Sequence, residues 1–224
     1  MTQRPWYERD HDRLEAMVTE ALEAFPTLAL DGDHGLPILR GEFPIIFEGK
    51  EVERFEIEVR LPERDPDDLP ILREVDGRIP RTPNFHVNNP DGDTCLFVPD
   101  ERWRFFPRGT SLAEFLRGPV RTHLIGAALN LRGDPWPAGE RSHGPDGVFE
   151  YYAEMVGSHD RSVILSFIRS LADPKVKRHW PCPCGLGRSI RECHNDLITD
   201  LRNKIASGDA FRTLQYLAPS LIGI

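Results

Sequence analysis

The sequence has no long apolar run and little cysteine, and each scarcity argues against a class of protein. No stretch is long and apolar enough to span a bilayer, and the first residues lack the hydrophobic core of a secretory signal. We therefore expect a cytoplasmic protein with no membrane partner. Only four cysteines occur in 224 residues, and because the cytoplasm is reducing, disulfide bonds explain them poorly.

Positive charge is also in short supply. The chain has 28 Lys and Arg residues against 36 Asp and Glu residues, which gives a net charge of -8 at pH 7. This balance argues against nucleic acid or an anionic membrane as the main partner, and it is compatible with a basic protein partner. The length allows one fair-sized core, or one core with a small appendage.

The spacing of apolar residues predicts an α+β fold. Apolar residues at helical intervals predict an N-terminal helix over 8–25, which Pro26 ends. Short alternating stretches then predict an antiparallel meander. Ser111 and Glu114 form a capping box at the start of a later helix, which Pro119 should kink or split. The predicted strands are 36–47, 52–61 and 71–75, and the predicted later helices are 111–131, 149–155 and 162–171.

A long segment without regular periodicity, residues 76–110, carries the most informative residue, Cys95. It is the one thiol that has no other cysteine near it in the sequence, and it lies in a polar loop that contains glycine. A thiol with access and polar neighbours can act as a nucleophile. The alternative is a buried structural cysteine, because unpaired cysteines are among the most buried residues.

The residues around Cys95 resemble the active-site motif of the ubiquitin-conjugating enzymes. That motif has His-Pro-Asn, a short loop with glycine, Cys-Leu, and a tryptophan eight residues after the cysteine. The matching residues here are His86-Val87-Asn88, Gly92, Cys95-Leu96 and Trp103. The order of helix, meander, long active-site segment and helix is also similar, and the resemblance covers residues 8–155. The motif proline is replaced by Val87, and the spacing from Asn88 to Cys95 is shorter than in eukaryotic members; both departures fit divergent bacterial relatives.

The resemblance implies a fold, a reaction and partners. The fold would be that of a ubiquitin-conjugating enzyme, and Cys95 would carry a ubiquitin-like modifier as a thioester. An activating enzyme would supply the modifier, and an amine of a target would receive it. Bacterial relatives are encoded in conjugation operons, several of which serve antiphage defence, so a cyclic-oligonucleotide synthase is one candidate target.

The resemblance also implies roles for neighbours of Cys95. Asn88 would donate to the oxyanion of the tetrahedral intermediate, although it is also a natural turn residue. His86 would brace the loop through hydrogen bonds rather than act as a base, and Trp103 would pack beneath the loop. The acidic residues Asp91, Asp93 and Asp100 could orient an incoming lysine, but a solvated acidic loop is the simpler interpretation.

A second motif near the C-terminus predicts a metal site. Cys182, Cys184, Cys193 and His194 lie within thirteen residues, with proline and glycine between them. Three thiolates and one imidazole suit tetrahedral zinc, and because the set already fills four positions the zinc should be structural. The pattern resembles the SEC-C type of zinc motif; the alternative is incidental clustering.

These observations divide the chain into a catalytic domain over 1–155 and a helical region over 156–224 that contains the zinc motif at 182–194. The expected function is that of a ubiquitin-like-protein conjugating enzyme. One alternative is a catalytically inactive member of the same fold that acts as a binding scaffold. Another is a zinc-dependent adaptor whose N-terminal domain only resembles the fold.

Overall fold

The chain has an α+β fold: N-terminal helices, a four-stranded antiparallel sheet, and C-terminal helices that accompany a cluster of cysteine and histidine. The computed structural model describes residues 4–31, 35–88, 90–137 and 141–217. The helices are α1 Trp6–Arg9, α2 His11–Ala24, α3 Arg102–Phe105, α4 Leu112–Phe115, α5 Arg121–Leu131, α6 Pro145–Val156, α7 Arg161–Ala172, α8 Asn195–Lys204 and α9 Ser207–Leu217. The strands are β1 Leu28–Asp31, β2 Ile38–Phe47, β3 Lys50–Arg60 and β4 Ile71–Glu74.

The sheet is a meander in the order β1-β2-β3-β4, with every neighbouring pair antiparallel. In β3 the apolar Phe55, Ile57 and Val59 are fully buried and alternate with charged residues, as the sequence pattern predicts. The three predicted strands correspond to β2, β3 and β4. Strand β1 was not predicted, because four residues are too few to show a period of two.

The helix predicted over 111–131 is interrupted in the middle. The hydroxyl of Ser111 accepts a hydrogen bond from the backbone N–H of Glu114 and caps α4. A π-helical turn over Leu116–Val120, which contains Pro119, then leads into α5. Proline has no N–H for the helical ladder, so the interruption falls where Pro119 predicts it.

The chain forms two compact units. The first contains 1–96 and 105–140, and the second contains 97–104 and 141–224. The second unit has its own apolar core, built by α6 to α9 and including Tyr151, Phe167, Ile168 and Leu201. Helix α6, which the sequence division puts at the end of the first domain, packs in this core. Compactness does not test function, so the division into functional domains at residue 155 stays a prediction.

Within the described residues, no helix is both long and apolar enough to cross a membrane.

Candidate functional site

The loop before Cys95 is closed by backbone hydrogen bonds. Val87 and Thr94 form an isolated antiparallel bridge. Inside it, the N–H of Asn88 donates to the carbonyl of Asp93, and the N–H of Gly92 donates to the carbonyl of Asn88, both at 2.9 Å. Gly92 has a φ of 77°, which glycine adopts without strain. The bonds hold the two ends of the motif side by side; Asn89 lies outside the described residues.

Cys95 leaves this loop with its backbone fixed and its side chain accessible. Its N–H donates to the carbonyl of His86 at 2.7 Å, and the N–H of Thr94 donates to the carbonyl of Leu72 in β4 at 2.9 Å. The residue is exposed, yet enough protein surrounds the sulfur that desolvation raises the pKa of the Cys95 thiol above its ordinary value. At neutral pH the thiol is therefore mainly protonated.

Asn88 is exposed, and its backbone is held in the closed loop. Asn88 follows Val87, and Val87 pairs with Thr94, the residue directly before Cys95. Its role as an oxyanion donor stays a prediction.

His86 has an unusual backbone conformation. Its φ is 54°, in the left-handed region that few residues other than glycine adopt. Its N–H donates to the carbonyl of Pro83 at 2.7 Å, and its own carbonyl receives the N–H of Cys95. The main chain of His86 thus holds the cysteine directly, while its role in the reaction stays a prediction.

A tryptophan that sequence reasoning missed lies beside this histidine. The ring of Trp136 meets the ring of His86 edge to face, with 4.7 Å between ring centroids, and the ring of His123 lies 5.5 Å away. The signal was present in Pro135-Trp136-Pro137, because a large aromatic residue in a stretch rich in glycine and proline needs a packing partner.

Three other residues that sequence analysis singled out in 76–110 lie in different surroundings. Trp103 belongs to the second unit, where its indole N–H donates to the hydroxyl of Tyr151 at 3.0 Å. Asp93 forms an ion pair with Arg73 in the first unit. The interpretation of Asp100 as a solvated residue is wrong: it is 1% exposed, accepts a hydrogen bond from Tyr152, and desolvation raises the pKa of its carboxyl.

The four predicted metal ligands converge in the second unit. Their ligand atoms all lie within 4.8 Å of one another. The Cys182 sulfur is 3.2 Å from Nδ1 of His194, and the sulfurs of Cys184 and Cys193 are 3.5 Å apart. A tetrahedral zinc with bonds of about 2.0–2.3 Å spaces its ligand atoms about 3.3–3.8 Å apart. The cluster could therefore hold a metal such as zinc with little adjustment.

Local folding of the chain brings these ligands together. Pro181 and Ser189 form a bridge, and the N–H of Cys182 donates to the carbonyl of Arg188 at 2.8 Å. The tip between them turns through Gly185 and Gly187, which have φ values of 76° and 75°. Residues other than glycine rarely adopt such φ values, so the two glycines let the hairpin close around the sulfurs.

The surroundings of the cluster orient one of its four side chains and desolvate another. The ring of His194 packs edge-on against Phe167, with 5.4 Å between ring centroids, so the imidazole is oriented by α7. Burial is the largest of several causes that raise the pKa of the Cys182 thiol to about 11. A bound cation would offset that cost, because it stabilises the thiolate.

Comparison with protein-family models, with curated proteins and with solved structures finds no match for this chain.

Proposed function

We propose that this protein is a conjugating enzyme that carries a ubiquitin-like modifier as a thioester on Cys95 and transfers it to an amine. One observation carries the proposal. Cys95 is an exposed thiol whose main chain is fixed at the end of a closed loop, while the other three cysteines are grouped in the metal cluster. A rigid main chain beneath an accessible sulfur is what a covalent carrier needs.

Loading would be an exchange in which the Cys95 thiol displaces the thiol of an existing thioester. The Cys95 thiol loses its proton to solvent, and the sulfur attacks the carbonyl carbon of a modifier joined to a cysteine of the activating enzyme. A new C–S bond forms, the old C–S bond breaks, and the departing thiolate of the activating enzyme takes up a proton. No electrons are gained or lost.

Transfer would then pass the modifier from sulfur to nitrogen. A neutral lysine amine attacks the thioester carbonyl, and negative charge develops on the carbonyl oxygen. An amide donor at the position of Asn88 would stabilise that charge. The C–S bond then breaks, the nitrogen gives up its proton, and the Cys95 sulfur regains one.

The raised pKa of the Cys95 thiol suits a carrier. A thiolate of high pKa is intrinsically more nucleophilic and leaves less readily than one of low pKa. The loaded thioester would therefore resist water and wait for a positioned amine.

The second candidate is a binding scaffold that performs no thioester chemistry. The raised pKa of the Cys95 thiol also favours this candidate, because a thiol that is protonated at neutral pH is not activated in the resting protein. The two candidates differ in whether Cys95 ever bears a modifier.

We also propose that the cluster of Cys182, Cys184, Cys193 and His194 holds one structural zinc. Four protein ligands leave no position for a substrate, so the ion would stabilise the second unit and take no part in the reaction.

The test mixes the full chain with its cognate activating enzyme, the ubiquitin-like modifier and ATP. The full chain should gain the mass of one modifier less water, and a thiol reductant should remove it. Cys95→Ala should stay folded and gain nothing. Failure of the wild type to load, or loading of Cys95→Ala, contradicts the proposal and leaves the scaffold.

A further inference from the structure

The indole of Trp136 lies directly on the bare backbone of α5. A Cβ atom added at Gly126 would lie 2.0 Å from Cζ3 and 2.1 Å from Cε3 of that indole. Real atoms do not approach so closely, so any side chain at Gly126 would push the indole away. Glycine is otherwise disfavoured in a helix interior, and at this position it provides the surface on which Trp136 packs.

The same indole is held on its other sides by polar and aromatic groups. Its N–H donates to the carbonyl of Asn84 at 3.0 Å. His86 meets it at an interplanar angle of 80°, and His123, which is 5% exposed, lies at 34° to it. Trp136 is therefore held by a hydrogen bond, by two rings and by a helix backbone.

These contacts lead to the candidate nucleophile in two steps. Asn84 and His86 belong to the segment that turns into the active-site loop, and His86 takes the left-handed conformation there. The carbonyl of His86 then accepts the N–H of Cys95 at 2.7 Å. Because a left-handed histidine costs energy, surrounding contacts must hold it, and Trp136 makes contacts with both ends of this turn.

We propose that Trp136 is a positioning residue for Cys95: it holds the Asn84–His86 turn, and through it the backbone and the packing of the thiol. The importance of this for modifier transfer rests on the proposed function. The positioning of the thiol does not, and it can be measured without any partner.

The test measures how fast iodoacetamide alkylates Cys95 in the full chain across pH, with the Cys95 peptide quantified by mass spectrometry. In Gly126→Ala the indole is displaced and the turn loosens, so the sulfur, which is already accessible, loses part of the surrounding protein that desolvates it. The midpoint of the alkylation profile should fall by about half a pH unit or more, because hydration favours the thiolate. The chain offers a matched control in Gly208→Ala, since a Cβ at that helical glycine meets nothing within 4 Å.

A second variant leaves the backbone of Gly126 unchanged. Trp136→Phe removes the donor to Asn84 and the outer carbons of the indole but keeps a smaller aromatic ring, so it should shift the midpoint in the same direction by less. It also replaces Gly126→Ala as the test if that variant does not fold, as judged by circular dichroism. An unchanged midpoint in the folded variants would overturn the inference and make Trp136 an ordinary packing residue.

The outcome is independent of the proposed function. A shifted midpoint in a protein that never loads a modifier supports the positioning role and refutes the conjugating enzyme. A protein that loads normally while its variants show no shift supports the conjugating enzyme and refutes the positioning role.

Discussion

At the scale of single residues, His123 is a buried base that is kept neutral. Burial, together with the nearby charge of His86, lowers its pKa to about 3. Within the described residues its Nε2 has no hydrogen-bond partner. An unfolded histidine binds a proton below about pH 6.5, whereas folded His123 stays neutral until about pH 3. The unfolded state therefore gains protons first, and the free energy of unfolding falls as the pH drops from 6.5 towards 3.

This linkage gives a prediction for stability against pH. At pH 5 the neutral His123 should destabilise the protein by about 2 kcal/mol relative to pH 7. Replacing it by leucine removes the titration, so His123→Leu should lose about that much less stability between the two pH values. Urea unfolding of both proteins at pH 7 and pH 5 measures the difference. An equal loss in both proteins would show that His123 is protonated in the folded state.

Asn88 gives a prediction for the reaction itself. A donor to an oxyanion acts on the transition state more than on the ground state. Asn88→Ala should therefore slow transfer to lysine by about ten- to a thousandfold while loading of Cys95 continues. Single-turnover assays of loading and of discharge to free lysine separate the two steps, and Asn203→Ala, an exposed asparagine on α8, is the matched control. Equal loss of both steps would indicate a collapsed loop, and unchanged discharge would remove Asn88 from catalysis.

How well single residues can be predicted depends on whether their partners are close in sequence. Cys95 and the four metal ligands could be picked out because chemistry and spacing identify them locally. The four ligands are confirmed as a cluster. The environment of Trp136 could not be predicted, because its contacts with Asn84 and His86 are about fifty residues distant and depend on the folded first unit.

At the scale of elements, the hairpin around the metal cluster is the part whose stability should depend on the metal. Zinc binding by three thiolates and an imidazole is coupled to local folding. Cys184→Ser should release the metal and loosen residues 174–206, while loading at Cys95 survives. Elemental analysis and hydrogen exchange measure the first two effects, and Cys95→Ser, which leaves the cluster intact, is the control.

Two results would contradict this account of the hairpin. Pure wild-type protein without zinc would refute the site. A Cys184→Ser protein that stays folded but no longer loads would show that the metal takes part in docking or in the reaction.

Elements with strong patterns were predictable and short ones were not. The alternation of apolar and charged residues correctly predicted strand β3, and the cap at Ser111 correctly predicted the start of α4. Strand β1 was missed, since its pairing with β2 comes from the sheet rather than from its own four residues. The π-helical turn was harder to predict. Pro119 indicates a break in the helix, whereas the apolar face continues through the same residues and indicates one uninterrupted helix.

At the scale of the whole molecule, the α+β class and the separate C-terminal cluster follow from the order of the patterns. The partition into two compact units does not. Residues 97–104 belong to the second unit, to which they add the buried side chains of Asp100, Glu101 and Arg102 and the partly buried Trp103. This assignment of 97–104 depends on tertiary contacts, for example the hydrogen bond from Tyr152 to Asp100. The local spacing of apolar residues therefore cannot predict it.

The central claim is that Cys95 bears a modifier through an acyl bond to its side chain. The most direct measurement compares adducts on the wild type, Cys95→Ser and Cys95→Ala after incubation with an activating enzyme, a modifier and ATP. The wild type should form an adduct that a thiol reductant cleaves, and the serine variant one that resists the reductant but yields to mild alkali, because an oxygen ester replaces the thioester. The alanine variant should form none. An adduct of the same chemistry on all three proteins, or on none, would contradict the account.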